Sequence, residues 1–298
     1  MRVFVTGATG FVGSVVVQDL LQAGHAVLGL ARSDRGAAAL AAAGAEVHRG
    51  DVEDLDSLRR GAAAADGVIH TAFIHDFSRF REVCEVDRRA IQAMGDVLAG
   101  SDRPLVLTSG TGMGTPAPGR PATEDHFDPN HPNPRSASEL AAEAVAARGV
   151  RVSVVRLPQV HDTKKQGLVT LLIALAREKG TSAYVGDGLN RWPAVHLLDA
   201  APVYRLALEK APAGARYHPV AEEGVTGRAI AEAIGRGLKI PVVSLSPEEA
   251  AGHFGWLGMF AAMDMPASSV LTRERLGWKP TQAAGLIDDL DRMDYSAG

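Results

Sequence analysis

The residues best suited to hold a ligand are 6–13, Thr-Gly-Ala-Thr-Gly-Phe-Val-Gly. They follow the apolar run Val3-Phe4-Val5, and an apolar helical pattern starts at Phe11. Gly7 permits a sharp turn at a strand end, Gly10 lets backbone come close to a ligand, and Gly13 lets the helix pack tightly on the sheet. The helix N-terminus then offers free N–H groups and a partial positive charge. That is chemistry for a pyrophosphate, and it predicts a nucleotide cofactor cradled by Gly7, Thr9, Gly10, Phe11 and Val12. Glycines also mark ordinary turns, but this turn sits between strand and helix, where the mechanism needs it.

Two further side chains could act on a substrate beside such a cofactor. Ser109 ends an apolar run, and a hydroxyl at a strand end can bind a substrate carbonyl; the bland alternative is a turn or cap serine, and Thr111 is a second hydroxyl on the same loop. His161 lies after Pro158 and before Asp162, Lys164 and Lys165. Imidazole exchanges a proton near neutrality, so His161 is a candidate proton donor, or else an exposed loop histidine. His70 and His196 fall at strand ends and read as packed histidines. None of the ten histidines is paired with carboxylates or cysteine at metal-binding spacing, so no metal is expected. The single cysteine, Cys84, falls in a helical pattern and reads as a buried thiol.

The elements that must position these groups alternate regularly. Strands are expected at 2–6, 26–31, 45–48, 66–71, 104–109 and 151–156, with helices at 11–23, 34–43, 54–64, 79–99 and 136–148. Runs such as Ala26-Val27-Leu28-Gly29-Leu30 are apolar on both faces, as strands of a parallel sheet covered by helices should be. The fold class is therefore α/β, a Rossmann-type doubly wound parallel sheet. Residues 110–135, rich in Gly and Pro, break the rhythm and form a long loop suited to a lid or site wall. Beyond residue 156, helices near 167–179, 199–210, 226–238 and 246–263 mix with strands near 183–185, 194–196, 216–218 and 242–245. We expect a dinucleotide-binding domain over 1–160 and a smaller, mostly helical substrate lobe over 161–298, partly interleaved with the sheet. Phe254, Trp256, Leu257 and Phe260 form a stripe that is core or lobe surface, or lines an apolar pocket or dimer face.

Composition narrows the function classes. The chain of 298 residues is 46% hydrophobic, enough for a sizeable core. A net charge of −4 gives no electrostatic case for a nucleic-acid partner or an anionic membrane. One cysteine excludes an intrachain disulfide and fits a reducing, cytoplasmic setting. No apolar run approaches the ~20 residues of a membrane span. The first residues enter a strand directly, which leaves no room for a signal peptide.

In sum of order and spacing, the chain resembles the extended short-chain dehydrogenase/reductase superfamily, the nucleotide-sugar epimerases, dehydratases and related reductases. Thr6–Gly13 matches its cofactor turn, and Gly50-Asp51-Val52 its adenine-contacting acid. Val68-Ile69-His70-Thr71-Ala72 matches the strand end under the cofactor, and Thr108-Ser109-Gly110 the strand end with the catalytic hydroxyl. Arg156-Leu157-Pro158 matches the segment flanking the nicotinamide. Residues 194–199 and 276–280 resemble C-terminal motifs. The resemblance thus implies cofactor contacts from Asp51, Val52, Thr71, Ala72, Thr108, Leu157 and Pro158, and implies a homodimer. The family also places Tyr and Lys four apart on a helix, before a small residue and a glutamate. Aligned on Ser138 and Glu143, this chain has Arg135 for the tyrosine and Glu139 for the lysine, so it resembles an atypical branch.

That departure limits the chemistry. Arg135 stays protonated and cannot be a general acid, but its guanidinium can donate to a carbonyl oxygen or an anion. Glu139 would need burial to hold a proton near neutrality. Four apart on a helix, the two could form an ion pair, or Glu139 could accept from the nicotinamide ribose hydroxyls. For the cofactor itself, Ala31 stands where an acidic residue would bind a ribose 2′-hydroxyl, and Arg32 with Ser33 could hold a 2′-phosphate. NADP is favoured over NAD, although Asp34 lies close by. The leading expectation is an NAD(P)-dependent oxidoreductase acting on a small carbonyl or alcohol. The alternatives are a nucleotide-sugar epimerase or dehydratase, and a cofactor-binding sensor without turnover.

Overall fold

A computed structural model describes residues 1–296. The N-terminal half alternates strand and helix: β1 (Arg2–Thr6), α1 (Phe11–Gln22), β2 (Ala26–Ala31), α2 (Asp34–Ala42), β3 (Glu46–Arg49), α3 (Leu55–Ala63), β4 (Gly67–His70), α4 (Phe80–Leu98), β5 (Pro104–Gly110), α5 (Ser136–Ala146) and β6 (Arg151–Leu157). There follow β7 (Gln159–His161), α6 (Val169–Lys179), β8 (Ser182–Val185), β9 (Arg191–His196), α7 (Leu197–Lys210), β10 (Ala215–Tyr217) and β11 (Glu222–Thr226). The chain ends with α8 (Gly227–Leu238), β12 (Val242–Leu245), α9 (Pro247–Phe254), α10 (Gly258–Ala261), α11 (Val270–Leu276) and α12 (Leu286–Arg292).

Seven strands form one sheet in the order β10-β6-β5-β4-β1-β2-β3, and every pairing in it is parallel. Strand residues alternate between two covered faces. Val3, Val5, Ile69 and Val106 point to the face packed by α1 and α7, through Val16, Leu20, Val203 and Tyr204. Phe4, Val68, Leu105 and Leu107 point to the face packed by α3, α4 and α5, through Leu58, Ile91, Met94 and Val145. The chain winds outward from β1 to β3, then returns to β4 on the other side of β1. The C-terminal ends of β1 and β4 therefore flank the crevice in which doubly wound sheets bind ligands.

α7 and β10 lie past residue 160 yet belong to the layers of the large sheet. The chain past residue 160 holds more strand than the expected helical character suggests. β9 pairs parallel with β7 and antiparallel with β11, and β8 pairs with β12. β7, β11, α11 and α12 escaped the sequence reading because each is short and carries too few residues to show a period. The single helix expected over 246–263 is broken at Gly255, whose φ of 54° lies in the left-handed region. Among the described residues no helix is long and apolar enough to cross a membrane.

Candidate active site

The glycine turn is as tightly built as its residue types require. Gly7 has a φ of +65°, and a Cβ there would stand 2.6 Å from the Ala72 nitrogen. A Cβ on Gly13 would lie 2.1 Å from the Gly7 carbonyl oxygen, so only glycine lets α1 start this close to β1. Gly10 is the N-cap of α1, no side chain caps the helix, and its first turn holds no acidic residue. The helix terminus thus points unscreened positive potential at the crevice. Lys165 adds a formal charge, with Nζ 5.6 Å from the centroid of the Phe11 ring. Thr9 and Gly10 are exposed, and Phe11 and Val12 are half-buried at the same rim. These residues fit a pyrophosphate.

The ends of β4 and β5 are less open to a ligand than expected. Thr71 spends its hydroxyl proton on the Thr6 carbonyl at 2.7 Å, which holds it and Ala72 beneath Gly7. The Thr108 hydroxyl donates to the His70 carbonyl at 2.8 Å and lies 2.9 Å from the Tyr204 hydroxyl. Both threonines can therefore shape the floor of the crevice but have no free hydroxyl proton to offer a cofactor. Ser109 differs: it is buried, and its Oγ has no hydrogen-bond partner among the described residues. An orphaned buried hydroxyl is costly unless a ligand completes it. Thr111 is buried in the 3-10 turn that follows β5, and Leu157 and Pro158 are half-buried at the end of β6.

At the end of β2, Arg32 is largely exposed, with Nη1 3.7 Å from Asp51 Oδ2. Ser33 caps α2, its Oγ accepting the Gly36 N–H at 3.1 Å while keeping its own proton free to donate. Asp34 is drawn off by Arg49, which removes its charge from competition with Arg32. Asp51 accepts the Glu53 N–H at 3.0 Å, and Val52 packs half-buried against the sheet.

Arg135 and Glu139 do not pair. Arg135 precedes α5 and turns toward the crevice, where Nη2 donates to the Thr108 carbonyl and Nη1 to Asp87 Oδ2, each at 2.7 Å. Its guanidinium lies 4.1 Å above the Phe73 ring. Glu139, one turn later, faces the other way and is wholly buried between two arginines. Arg156 gives it two hydrogen bonds of 2.7 Å and Arg216 a third of 2.8 Å. Burial pushes the Glu139 carboxyl up, but the Arg156 and Arg216 bonds and charges outweigh it and hold the group below its ordinary value. A sealed, ionised Glu139 cannot reach a ribose hydroxyl, so that expectation falls together with the ion pair.

Asp87 on α4 is the buried hub behind Arg135. It accepts from Arg135, from Ser138 Oγ and from His70 Nε2 at 2.9 Å, while His70 Nδ1 meets Thr6 Oγ1 at 2.7 Å. Burial opposes its charge, yet Arg135, His70 and Ser138 together hold the carboxyl well below the usual range. His161 is no loop residue: it lies buried in β7, with Nδ1 2.7 Å from Asp289 Oδ2 on α12. Burial lowers its pKa more than Asp289 raises it. His196 caps α7 by accepting the Leu198 N–H at 3.2 Å. Burial pushes the Cys84 thiol up to about 11, an inert setting.

A ladder of rings runs from Arg135 to the lobe. Phe73 meets Phe80 edge-on with centroids 6.4 Å apart, Phe80 adjoins Phe77, and Phe77 stacks on Trp256 at 4.7 Å and 15°. Phe254 and Leu257 turn inward into a small core, whereas Trp256 remains 44% exposed. Trp256 follows the helix break at Gly255 and joins the ladder through Phe77. Among the described residues no group of His, Cys, Asp and Glu side chains is placed to hold a metal.

Comparisons with known proteins agree with this architecture. An uncharacterised protein of Schizosaccharomyces pombe is 51% identical over 289 residues, 97% of this chain and 98% of its own length. A UDP-glucose 4-epimerase of Streptomyces lividans is 30% identical over 332 residues, 95% of this chain and 92% of its own. A solved double mutant of a dTDP-glucose 4,6-dehydratase from Streptomyces venezuelae, with NAD bound, superposes with a TM-score of 0.77. It is 23% identical, covers 99% of this chain and 96% of its own, and so speaks to the fold. The model of the NAD dependent epimerase/dehydratase family matches residues 3–220, and the chain belongs to that family.

Proposed function

We propose that the protein is an oxidoreductase that moves hydride between a nicotinamide cofactor, NADP in preference to NAD, and a small carbonyl or alcohol. The observation that carries this reading is Ser109 Oγ, buried and unpartnered at the end of β5. It faces the same C-terminal edge of the sheet as the glycine turn, two strands away through β4. When bound, the cofactor supplies or accepts the hydride. The protein's part is to hold the ligands and the developing charge. The α1 terminus and Lys165 bind the pyrophosphate, and Arg32 with Ser33 binds a 2′-phosphate. Ser109 holds the substrate oxygen. Arg135, anchored on Asp87 and Thr108, keeps positive charge beside it. The ring ladder from Phe73 to Trp256 favours a substrate with an apolar body.

The test is a fluorescence titration with NADPH and with NADH, followed by a panel of ketones and aldehydes. Tight NADPH binding with oxidation on substrate addition supports the reading. Binding without turnover across the panel turns it into a cofactor-binding sensor.

A second reading, sugar-nucleotide epimerisation or dehydration, is favoured by the 30% identity to an epimerase over nearly the whole chain. Its test is NAD retained through purification together with conversion of UDP-glucose.

A further inference from the structure

Three of the chain's eight phenylalanines, Phe73, Phe77 and Phe80, stand within one stretch of eight residues. That stretch leaves the C-terminal end of β4, the edge of the sheet that carries the glycine turn. All three rings are half-buried, and among the described residues none of them joins an apolar core. They pack instead on one another, on His75 and on Trp256. The His75 ring lies 5.5 Å from Phe73 and 6.3 Å from Phe77, centroid to centroid, edge-on to both. Aromatic surface gathered outside the core and left half-open marks a place where another molecule completes the burial.

Contacts place the inner end of this wall at the crevice. Phe73 follows Ala72, whose nitrogen lies directly under Gly7. The Arg135 guanidinium that covers the Phe73 ring also holds the carbonyl of Thr108, the residue before Ser109. Burial, then the charges of Lys165 and Arg135, push the His75 imidazole down, so at neutral pH it is an uncharged ring in the wall. Asp76 fixes the bend of the stretch by accepting the Ser78 N–H at 3.1 Å and the Arg79 Nε–H at 2.9 Å. The stack of Phe77 on Trp256 ties the outer end to the turn at Gly255. A wall fixed before its ligand arrives loses little freedom on binding. Phenylalanine offers the hydroxyls of a sugar no hydrogen bond. A flat ring gains the offset or edge-on geometry that aromatic pairs prefer, which an aliphatic body of the same size does not.

On the hydride-transfer reading above, on which this rests, we infer that the substrate is an aromatic carbonyl compound, or its alcohol, whose ring packs against Phe73 and Phe77 while its oxygen meets Ser109. Phe73 and Phe77 are then the residues that set specificity, and Trp256 closes the outer end of their wall.

The test has two independent readouts on the full chain. The first is ¹⁹F NMR of protein labelled with 5-fluorotryptophan and saturated with NADP⁺, with which a ketone cannot react. Trp256 is assigned by its loss in W256L, and the buried Trp192 and Trp278 serve as internal references. Acetophenone should shift the Trp256 resonance alone, and cyclohexyl methyl ketone, matched in size, should shift it much less. Equal shifts from the two ketones, or none, overturn the aromatic assignment. A shift from UDP with none from acetophenone also overturns it, and gives the wall to a nucleotide base. The second readout is the ratio of kcat/KM for acetophenone to that for cyclohexyl methyl ketone, with NADPH. F73L and F77L keep apolar volume but lose the flat face, and each should lower the ratio by about threefold to tenfold with NADPH affinity unchanged. An unchanged ratio in both variants overturns the assignment and leaves the oxidoreductase reading standing. A Trp256 shift from acetophenone without NADPH consumption from any ketone overturns that reading, and leaves the wall as a site for an aromatic ligand.

Discussion

Glu139 and Arg156 face each other through two parallel hydrogen bonds of 2.7 Å, both side chains fully buried. Arg156 also donates to the carbonyls of Thr123 and His126. The pair therefore ties α5 and β6 to the long loop that precedes α5. Breaking it strands a buried guanidinium, a change that costs roughly 3–5 kcal/mol. Glu139→Ala should lower the denaturation midpoint accordingly. NADPH affinity of the folded fraction should stay the same, which a direct role at the ribose would not allow.

Gly13→Ala should damage both stability and cofactor binding. The added methyl would lie 2.1 Å from a backbone oxygen and 2.7 Å from Thr71 Oγ1, so β1 and α1 must separate. A shift of that kind opens the pyrophosphate cradle, and affinity for either nicotinamide cofactor should fall by about tenfold or more. Gly44→Ala is the contrast: a Cβ there has nothing within 4 Å, so its cost is confined to the strain of a φ of +87°.

If Arg32 holds a 2′-phosphate, its removal should separate the two cofactors. Its guanidinium is free enough to meet a 2′-phosphate, and NADH offers it no partner there. Arg32→Ala should weaken NADPH by roughly tenfold to a hundredfold, the worth of a charge-assisted hydrogen bond, and leave NADH nearly unchanged. Equal loss for both would contradict the NADP preference.

Ser109→Ala removes a hydroxyl that has no partner to lose among the described residues. Stability should therefore hold or rise slightly, since the buried group is unsatisfied in the free protein. Carbonyl reduction should fall by about 10²–10³-fold in kcat. Thermal melts and turnover on the same preparation distinguish this from misfolding.

Acid should weaken the fold through His218. Burial, and then the Arg156 charge, push its pKa down to about 3. Its Nδ1 lies 3.0 Å from the Ser268 carbonyl, and Arg156 Nη1 lies 3.4 Å from Nε2, so the native ring is neutral. The unfolded chain binds a proton at this histidine below about pH 6.5 while the native state does not, so stability rises with pH across that window. At pH 5 the loss relative to pH 7 should be about 2 kcal/mol from this group. His218→Gln should flatten the dependence in urea melts taken from pH 5 to 7.

The alternation of short apolar runs with helical patterns was enough to determine the parallel sheet, and the strand–glycine–helix turn was enough to place the uncapped N-terminus of α1 at the crevice. Both are local: a period of two or 3.6 residues, or a φ that only glycine adopts, is written in neighbouring residues. The partners of Arg135, Glu139 and His161 were not written that way. Glu139 meets Arg156 and Arg216, which arrive from β6 and β10, and His161 meets Asp289 on α12. Sequence spacing suggested an Arg135–Glu139 pair because residues four apart share a helix face. Arg135 lies outside the helix, at its N-cap, so that rule does not govern it. Which way each charge turns was decided by the opposite charge that tertiary packing brought to it.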